Sequence, residues 1–298
     1  MAGAQAITYH DQAMREDLLA LITNLSPSEN QLMSGLPTST AKSIRHEWLI
    51  DTLSAVKDNA QQEGVAATYH TTTDPTRLYN YCQIFKQGFN VSDTERAVDT
   101  AGFSDRYSYE QTKALRMIKN DMEYALMRGS LVSGQTNVAR RLVGIKASLS
   151  IITSYSGISM TEVMLNDFLE AVWTNAATEV NAIYCPMYMK RKISGFTSGL
   201  TKHINATDKR LINTVDVYEA DAAKLVKLFA HRYVSISGTD TNYGVVGIDE
   251  DKFRVAYLRK PFLQEIAKTG DFSGGNVVAE ATLETLHYNA GFWADQYI

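Results

Sequence analysis

The stretch Ser104 to Gly129, SDRYSYEQTKALRMIKNDMEYALMRG, constrains this fold more than any other part of the chain. Leu115, Ile118, Met122, Ala125 and Leu126 recur at three- and four-residue spacing and lay one apolar stripe along a helix. Ser108 with Gln111 offers a capping box near its start. Arg128 and Gly129 offer a stop, a cation by the last carbonyls and a residue free to turn left-handed. About 20 residues at 1.5 Å each make a rod of roughly 30 Å, the width of a small domain. So long a helix with so narrow an apolar face needs a sheet to lie against. The far end of the chain offers one strand of it. Between Asn276 and His287, Val277, Ala279, Ala281, Leu283 and Thr285 fall on one face, and Glu280, Thr282 and Glu284 on the other. That strand is expected to pair beneath the helix.

With 298 residues, 45% hydrophobic and 21% charged, the chain has the composition of a soluble globular protein with room for two modest cores. A net charge of −4 and a pI near 5.9 exclude a dedicated nucleic-acid binder, which carries a basic face. No apolar run approaches the ~20 residues of a membrane span, and the N-terminus lacks the apolar core of a signal peptide. Cys82 and Cys185, far apart in apolar surroundings, read as reduced core thiols of a protein made in a cytoplasm.

Two segments at the front do not look self-sufficient. Residues 1–45 hold Pro27, Gly35 and Pro37, which forbid a long helix, yet also Leu18, Leu19, Leu21, Ile22, Leu25, Leu32, Met33 and Leu36. Such an arm needs a surface, on this chain or on a neighbour. The run HEWLIDTL (46–53) is strand-like, with a partner in Leu78 to Val91 that places Tyr79, Tyr81, Phe85, Phe89 and Val91 on one side. More than twenty polar residues separate the two, so a long two-stranded arm projecting from the body is expected, and a lone hairpin is marginal in water. A monomer does not suit two such arms.

The remainder alternates irregularly. Arg140 to Tyr155 is strand or buried turn. A second helix is expected after a capping box at Ser159 and Glu162, burying Leu165, Phe168, Leu169, Val172 and Trp173. NAIYCP reads as a buried strand, and Pro186 opens the helix MYMKRKISGF, closed by Gly195. Strands follow on either side of a turn at 220–223, then at VVGID and FRVAYLR. The fold class is α+β.

Reaction chemistry finds no foothold. SGQTNVARR lacks a phosphate loop's GK[ST], FSGGNV is no dinucleotide fingerprint, and neither Ser194 nor Ser198 sits in a nucleophile elbow. None of His10, His46, His70, His203, His231 and His287 has a partner at metal-ligand spacing, and Asp249, Glu250 and Asp251 read as a solvated turn. No catalytic residue, cofactor or metal is expected. Lys190, Arg191 and Lys192, with Lys209 and Arg210, form the one basic concentration: the wet face of a helix, or a contact to phosphate or carboxylate on a neighbour or nucleic acid.

In order along the chain, REDLLALITNLSPSE, HEWLIDTL, YCQIFKQGFNVSDTERAVDTAG, KRKISGF, VDVYEAD, YLRKPF and AKTGD resemble the major capsid (major head) protein of tailed double-stranded-DNA phages, closest to the podovirus-type subfamily with the Hong Kong 97 phage fold. The resemblance implies an N-terminal arm at 1–45, an extended loop (a long β-hairpin) at 46–88 and a peripheral domain at 89–159 with its spine helix at 104–129. It further implies an axial domain at 160–254 and returning peripheral strands at 255–298. Copies would form hexamers and pentamers of an icosahedral shell around packaged double-stranded DNA. The virion would be assembled in the bacterial host cytoplasm, with a portal and scaffolding or decoration proteins as partners and no membrane. Contacts between subunits are expected at Leu18, Leu19, Ile22 and Leu25 in the arm, Trp48 and Lys57 in the loop, and Lys190, Arg191 and Lys192. Some relatives carry a scaffolding segment ahead of the arm, for which this chain has no room. Some crosslink lysine to asparagine; Lys57 and Asn59 lie in the loop, but no crosslink is expected. An encapsulin-like compartment shell is the nearest alternative, and an enzyme with an unrecognised site a remote one.

Overall fold

A computed structural model describes residues 30–53, 56–66, 69, 74–98, 105–196, 216–220, 223–235, 243–268 and 270–297. Its spine is helix α3, Arg106–Arg128, which buries Ala114, Ile118, Met122, Ala125, Leu126 and Met127 along the expected stripe. The start is capped differently from expectation. Asp105 accepts from the backbone N–H groups of Tyr107 and Ser108 and from the Ser108 hydroxyl, so Ser108 is a donor inside the first turn. The stop also differs. Gly129 has φ −55°, not left-handed; glycine is needed because a Cβ there would stand 2.5 Å from Leu142 O and 2.6 Å from Ala125 O.

The sheet beneath α3 has four strands in the order β1-β10-β11-β4: Thr38–Thr40, Phe253–Ile266, Phe272–Thr285 and Gln83–Ser92. β11 is the expected alternating strand. Val277, Ala279, Ala281 and Leu283 join Ile118, Met122 and Leu126 in the core. Its opposite face, Glu280, Thr282 and Glu284, is buried as well. Polar partners meet that face: Ser39 of β1 donates to Glu284 at 2.8 Å, and Arg140 to Glu280.

A six-stranded sheet, β5-β12-β9-β6-β8-β7, lies alongside: Ile151–Ile158, Gly291–Tyr297, Tyr243–Ile248, Ala182–Cys185, Ala223–Ala230 and Val217–Ala220. At the C-terminus β12, expected among the peripheral strands of 255–298, pairs parallel with β5 from the expected 89–159 segment and antiparallel with β9 from the expected 160–254 segment. Successive residues of β12 serve two cores. Trp293 packs with the α3 cluster, while Phe292 and Ala294 pack with helices α5 (Glu162–Ala176) and α6 (Met187–Phe196). Thr161, not Ser159, caps α5. Trp173 lies one step off the stripe of Leu165, Phe168, Leu169 and Val172 and is exposed. Gly195 lies within α6 and does not end it.

The front segments rest partly on this chain, one of the two alternatives left open for residues 1–45. Helix α1 (Gln31–Gly35) and β1 pack on this chain's own body, with Leu32 and Leu36 buried in the α3 core. They are short because Gly35 and Pro37 bracket the turn between them. The returning strand is two strands. β3 (Thr76–Tyr81) pairs with β2 (Arg45–Ile50), whereas β4, beyond Cys82, belongs to the four-stranded sheet. The break reverses phase. Phe85 and Val91 are buried in β4, but in β3 the buried residue is Asn80, and Tyr79 is exposed. Short helices α2 (Asp93–Ala97) and α4 (Ile145–Ser148) and a 3-10 turn at Glu250–Lys252 complete the described elements.

Candidate assembly surfaces

The β2–β3 ribbon pairs only with itself and stands off the four-stranded sheet. Its root is bolted by polar groups. Asn80 Nδ2 donates to Leu283 O at 2.8 Å and Val143 O at 3.1 Å, while its Oδ1 accepts from Val143 N and Tyr81 N, both at 2.8 Å. Every lone pair and proton of this buried amide is used. Arg140 Nε donates to Cys82 O at 2.6 Å, and its guanidinium pairs with Glu280, which also takes Arg259 Nε at 2.7 Å. Burial, with Glu280 nearby, pushes the Cys82 thiol up to about 11, so it stays protonated and donates to Ser43 O. Trp48, expected at a subunit contact, donates its indole N–H to Thr285 O at 2.9 Å. It fastens the ribbon to β11.

Beyond the root, nothing on the described chain covers the ribbon. Leu49 is 62% exposed, and Leu53, Val56, Val65 and Tyr69 are exposed in the connection beyond it. Lys57 is also exposed there. This is apolar side-chain surface on a projecting element, which a protein working alone has no reason to keep.

The basic concentration on α6 is divided. Lys190 bonds Asp216 at 2.7 Å and Leu228 O at 3.1 Å, Lys192 reaches Ser159 Oγ at 2.8 Å, and Arg191 is exposed. Lys209 and Arg210 lie outside the described residues, as do Leu18, Leu19, Ile22 and Leu25. Asp249 and Glu250 are not a solvated turn. Asp249 is buried and accepts from Thr178 and Asn181, and Glu250 takes the Tyr184 hydroxyl. Among the described residues no cluster of side chains has the makings of a metal site, and no helix is long and apolar enough to cross a membrane.

A family model described as SU10 major capsid protein matches residues 4–295. The chain belongs to that family. This capsid protein also shares its fold with solved structures at low identity. A chain of Gordonia phage Cozz is 14% identical with a TM-score of 0.65, covering 100% of this chain and 96% of that one. The capsid of a native GTA particle is 10% identical at a TM-score of 0.67, covering 98% and 97%. An encapsulin complex from Synechococcus elongatus is 9% identical at 0.61, covering 99% and 96%. No curated protein sequence matches. The fold is therefore the α+β Hong Kong 97 type. Encapsulin shares that fold, and the family match decides for the phage major capsid protein, whose copies associate into the virion shell.

The polar contacts of Asn80, Arg140 and Glu280 at the root of the ribbon, and the burial of Glu123 on α3, escaped sequence reasoning. The one available signal was Glu123, a charge flanked by Met122, Ala125, Leu126 and Met127 on the apolar side of α3.

Proposed function

We propose that this capsid protein closes an icosahedral phage head of hexamers and pentamers around double-stranded DNA. Each subunit lays its β2–β3 ribbon and the residues ahead of Asn30 over neighbouring subunits. The observation that carries this reading is the exposed apolar series of Leu49 on the ribbon and Leu53, Val56 and Val65 in the connection beyond it, with the ribbon's described contacts gathered at its root. Burying that series on a neighbour removes apolar surface from water, and heterologous contacts repeated around a ring close it. The arm is residues 1–29, with its root at 31–41 on the body, and the extended loop is 45–81. The peripheral domain is centred on α3 and the four-stranded sheet, and the axial domain on the six-stranded sheet, α5 and α6. Axial contacts around the capsomer involve Arg191 and its neighbours on α6. Assembly takes place in the host cytoplasm with a portal and scaffolding or decoration proteins, in the manner of podovirus-type heads.

Removing residues 1–45 would also remove Leu32, Leu36 and β1 from the body, so the clean test is a chain lacking residues 1–29. It is expected to fold and to give soluble capsomers but no closed shells by negative-stain microscopy. Normal shells from that chain refute the arm's role. Double-stranded DNA inside heads from infected cells supports the phage reading over a cargo compartment, and protein cargo in place of DNA refutes it.

A further inference from the structure

Where the described chain begins, it meets a carboxylate of the spine helix. Glu123 is fully buried on α3. Its Oε1 accepts from Leu32 N–H at 2.8 Å, and its Oε2 from Met33 N–H at 2.9 Å. A third donor, His231 Nε2, lies 3.0 Å from Oε1. That ring is oriented from its other side: Tyr233 N–H donates to Nδ1 at 3.3 Å, which leaves the proton on Nε2. The His231 backbone N–H is held by Cys185 O at 2.8 Å. Segments from α1, α3 and the end of β8 thus converge on a group that only accepts.

A buried carboxylate is a poor way to gain stability. An apolar residue at this position would continue the stripe of Met122 and Leu126 without the desolvation cost. Leu32 and Leu36 already anchor α1 by burial. What the carboxylate adds is direction, because apolar contact tolerates sliding and hydrogen bonds to two consecutive amides do not. We propose that Glu123 is a positioning residue for shell assembly, fixing the heading at which the N-terminal arm leaves the body at Asn30. This rests on the reading that residues 1–29 act between subunits.

Glu123→Gln tests it, because an amide offers one acceptor oxygen where the carboxylate offers two, and Leu32, Met33 and His231 can no longer all be satisfied. The variant is expected to unfold within a few degrees of the native chain. Hydrogen exchange in the peptide spanning 31–36 should quicken about tenfold or more, with β11 amides unchanged. Closed shells should fall to a minor fraction in sedimentation and microscopy. Unchanged exchange at 31–36, or a normal yield of shells, overturns the proposal. If Glu123→Gln does not fold, His231→Phe removes the third donor, together with the Nδ1 acceptor of Tyr233 N–H, and is read by the same two measurements, with about threefold faster exchange expected at 31–36. The chain lacking residues 1–29 separates the two ideas. Should it close normal shells, the arm reading fails whatever Glu123 does. Should it fail to close them while Glu123→Gln closes normally, the positioning role alone is wrong.

Discussion

The two antiparallel ribbons of this protein meet at Thr285 and live in opposite surroundings. β10 and β11 run 14 residues each, and β11 is buried on both faces, under α3 by Val277 and Leu283 and on the reverse by Glu280 and Thr282. β2 and β3 run 6 residues each, bury only Asn80, and lead into a connection whose apolar side chains are bare. The first ribbon is part of the core and is stable for that reason. A two-stranded ribbon without a covering layer is marginal, so the second depends on its bolts at the root and on a neighbour for the rest. The same secondary structure therefore serves folding in one place and assembly in the other.

The strongest way to break this comparison is to remove what the second ribbon carries. Ile50 pairs with Thr76, so residues 51–75 can be replaced by Asn-Gly in a two-residue turn without disturbing the register. The expected result is a chain that melts within a few degrees of the native one and forms no closed shells by sedimentation and microscopy. Closed shells from that variant would mean the connection contributes nothing to assembly.

Matched truncations sharpen the same contrast. Leu283 is fully buried and Leu49 is 62% exposed. Leu283→Ala should cost about 3 kcal/mol in denaturant unfolding of the dissociated chain. Leu49→Ala should stay within about 0.5 kcal/mol there, and show itself only as a higher protein concentration needed for shells to form. Equal losses in the two variants would deny any difference between the ribbons.

Sequence reasoning reached the elements whose two faces differ in polarity. α3 was legible because Ile118, Met122 and Leu126 share a face with polar residues opposite, and β11 because Glu280 and Glu284 alternate with alanine, valine and leucine. The pairing of β2 with β3 was legible for the converse reason, as two strand-like runs in a segment that could not build a core of its own. β12 was missed because its alternate residues enter two different apolar cores, so Phe292, Trp293 and Ala294 show no alternation at all. The phase of β3 was missed because the reversal lies at Cys82, a residue with no turn signal. The resting place of residues 31–41 was left open between this chain and a neighbour, because Leu32 and Leu36 require burial and nothing in their side chains says whose core receives them.

Asn80 tests the bolts. It satisfies Val143 on both backbone groups and Leu283 on its carbonyl, so Asn80→Ala leaves polar backbone atoms without partners in a buried place. A loss of about 2 kcal/mol is expected. Exchange in β2 and β3 should rise further than exchange in β10 and β11. Uniform acceleration across all four strands would place Asn80 in the core's account and remove it from the ribbon's.

A smaller effect than at Asn80 is expected at Trp48, and it is the most discriminating because the substitution is so slight. Trp48→Phe keeps an aromatic ring near His46, whose ring centroid lies 5.6 Å from the indole, and deletes only the N–H that reaches Thr285 O. Thr285 is the last residue of β11 and pairs with Phe253, so its carbonyl belongs to the core ribbon while the donor belongs to the projecting one. Losing this hydrogen bond should cost about 1 kcal/mol, felt as faster exchange at residues 45–50 with no change at 277–283. A change of equal size on both sides would show that the two ribbons unfold as one unit. Their different surroundings would then have no energetic meaning, and the projecting ribbon would need no neighbour to hold its shape.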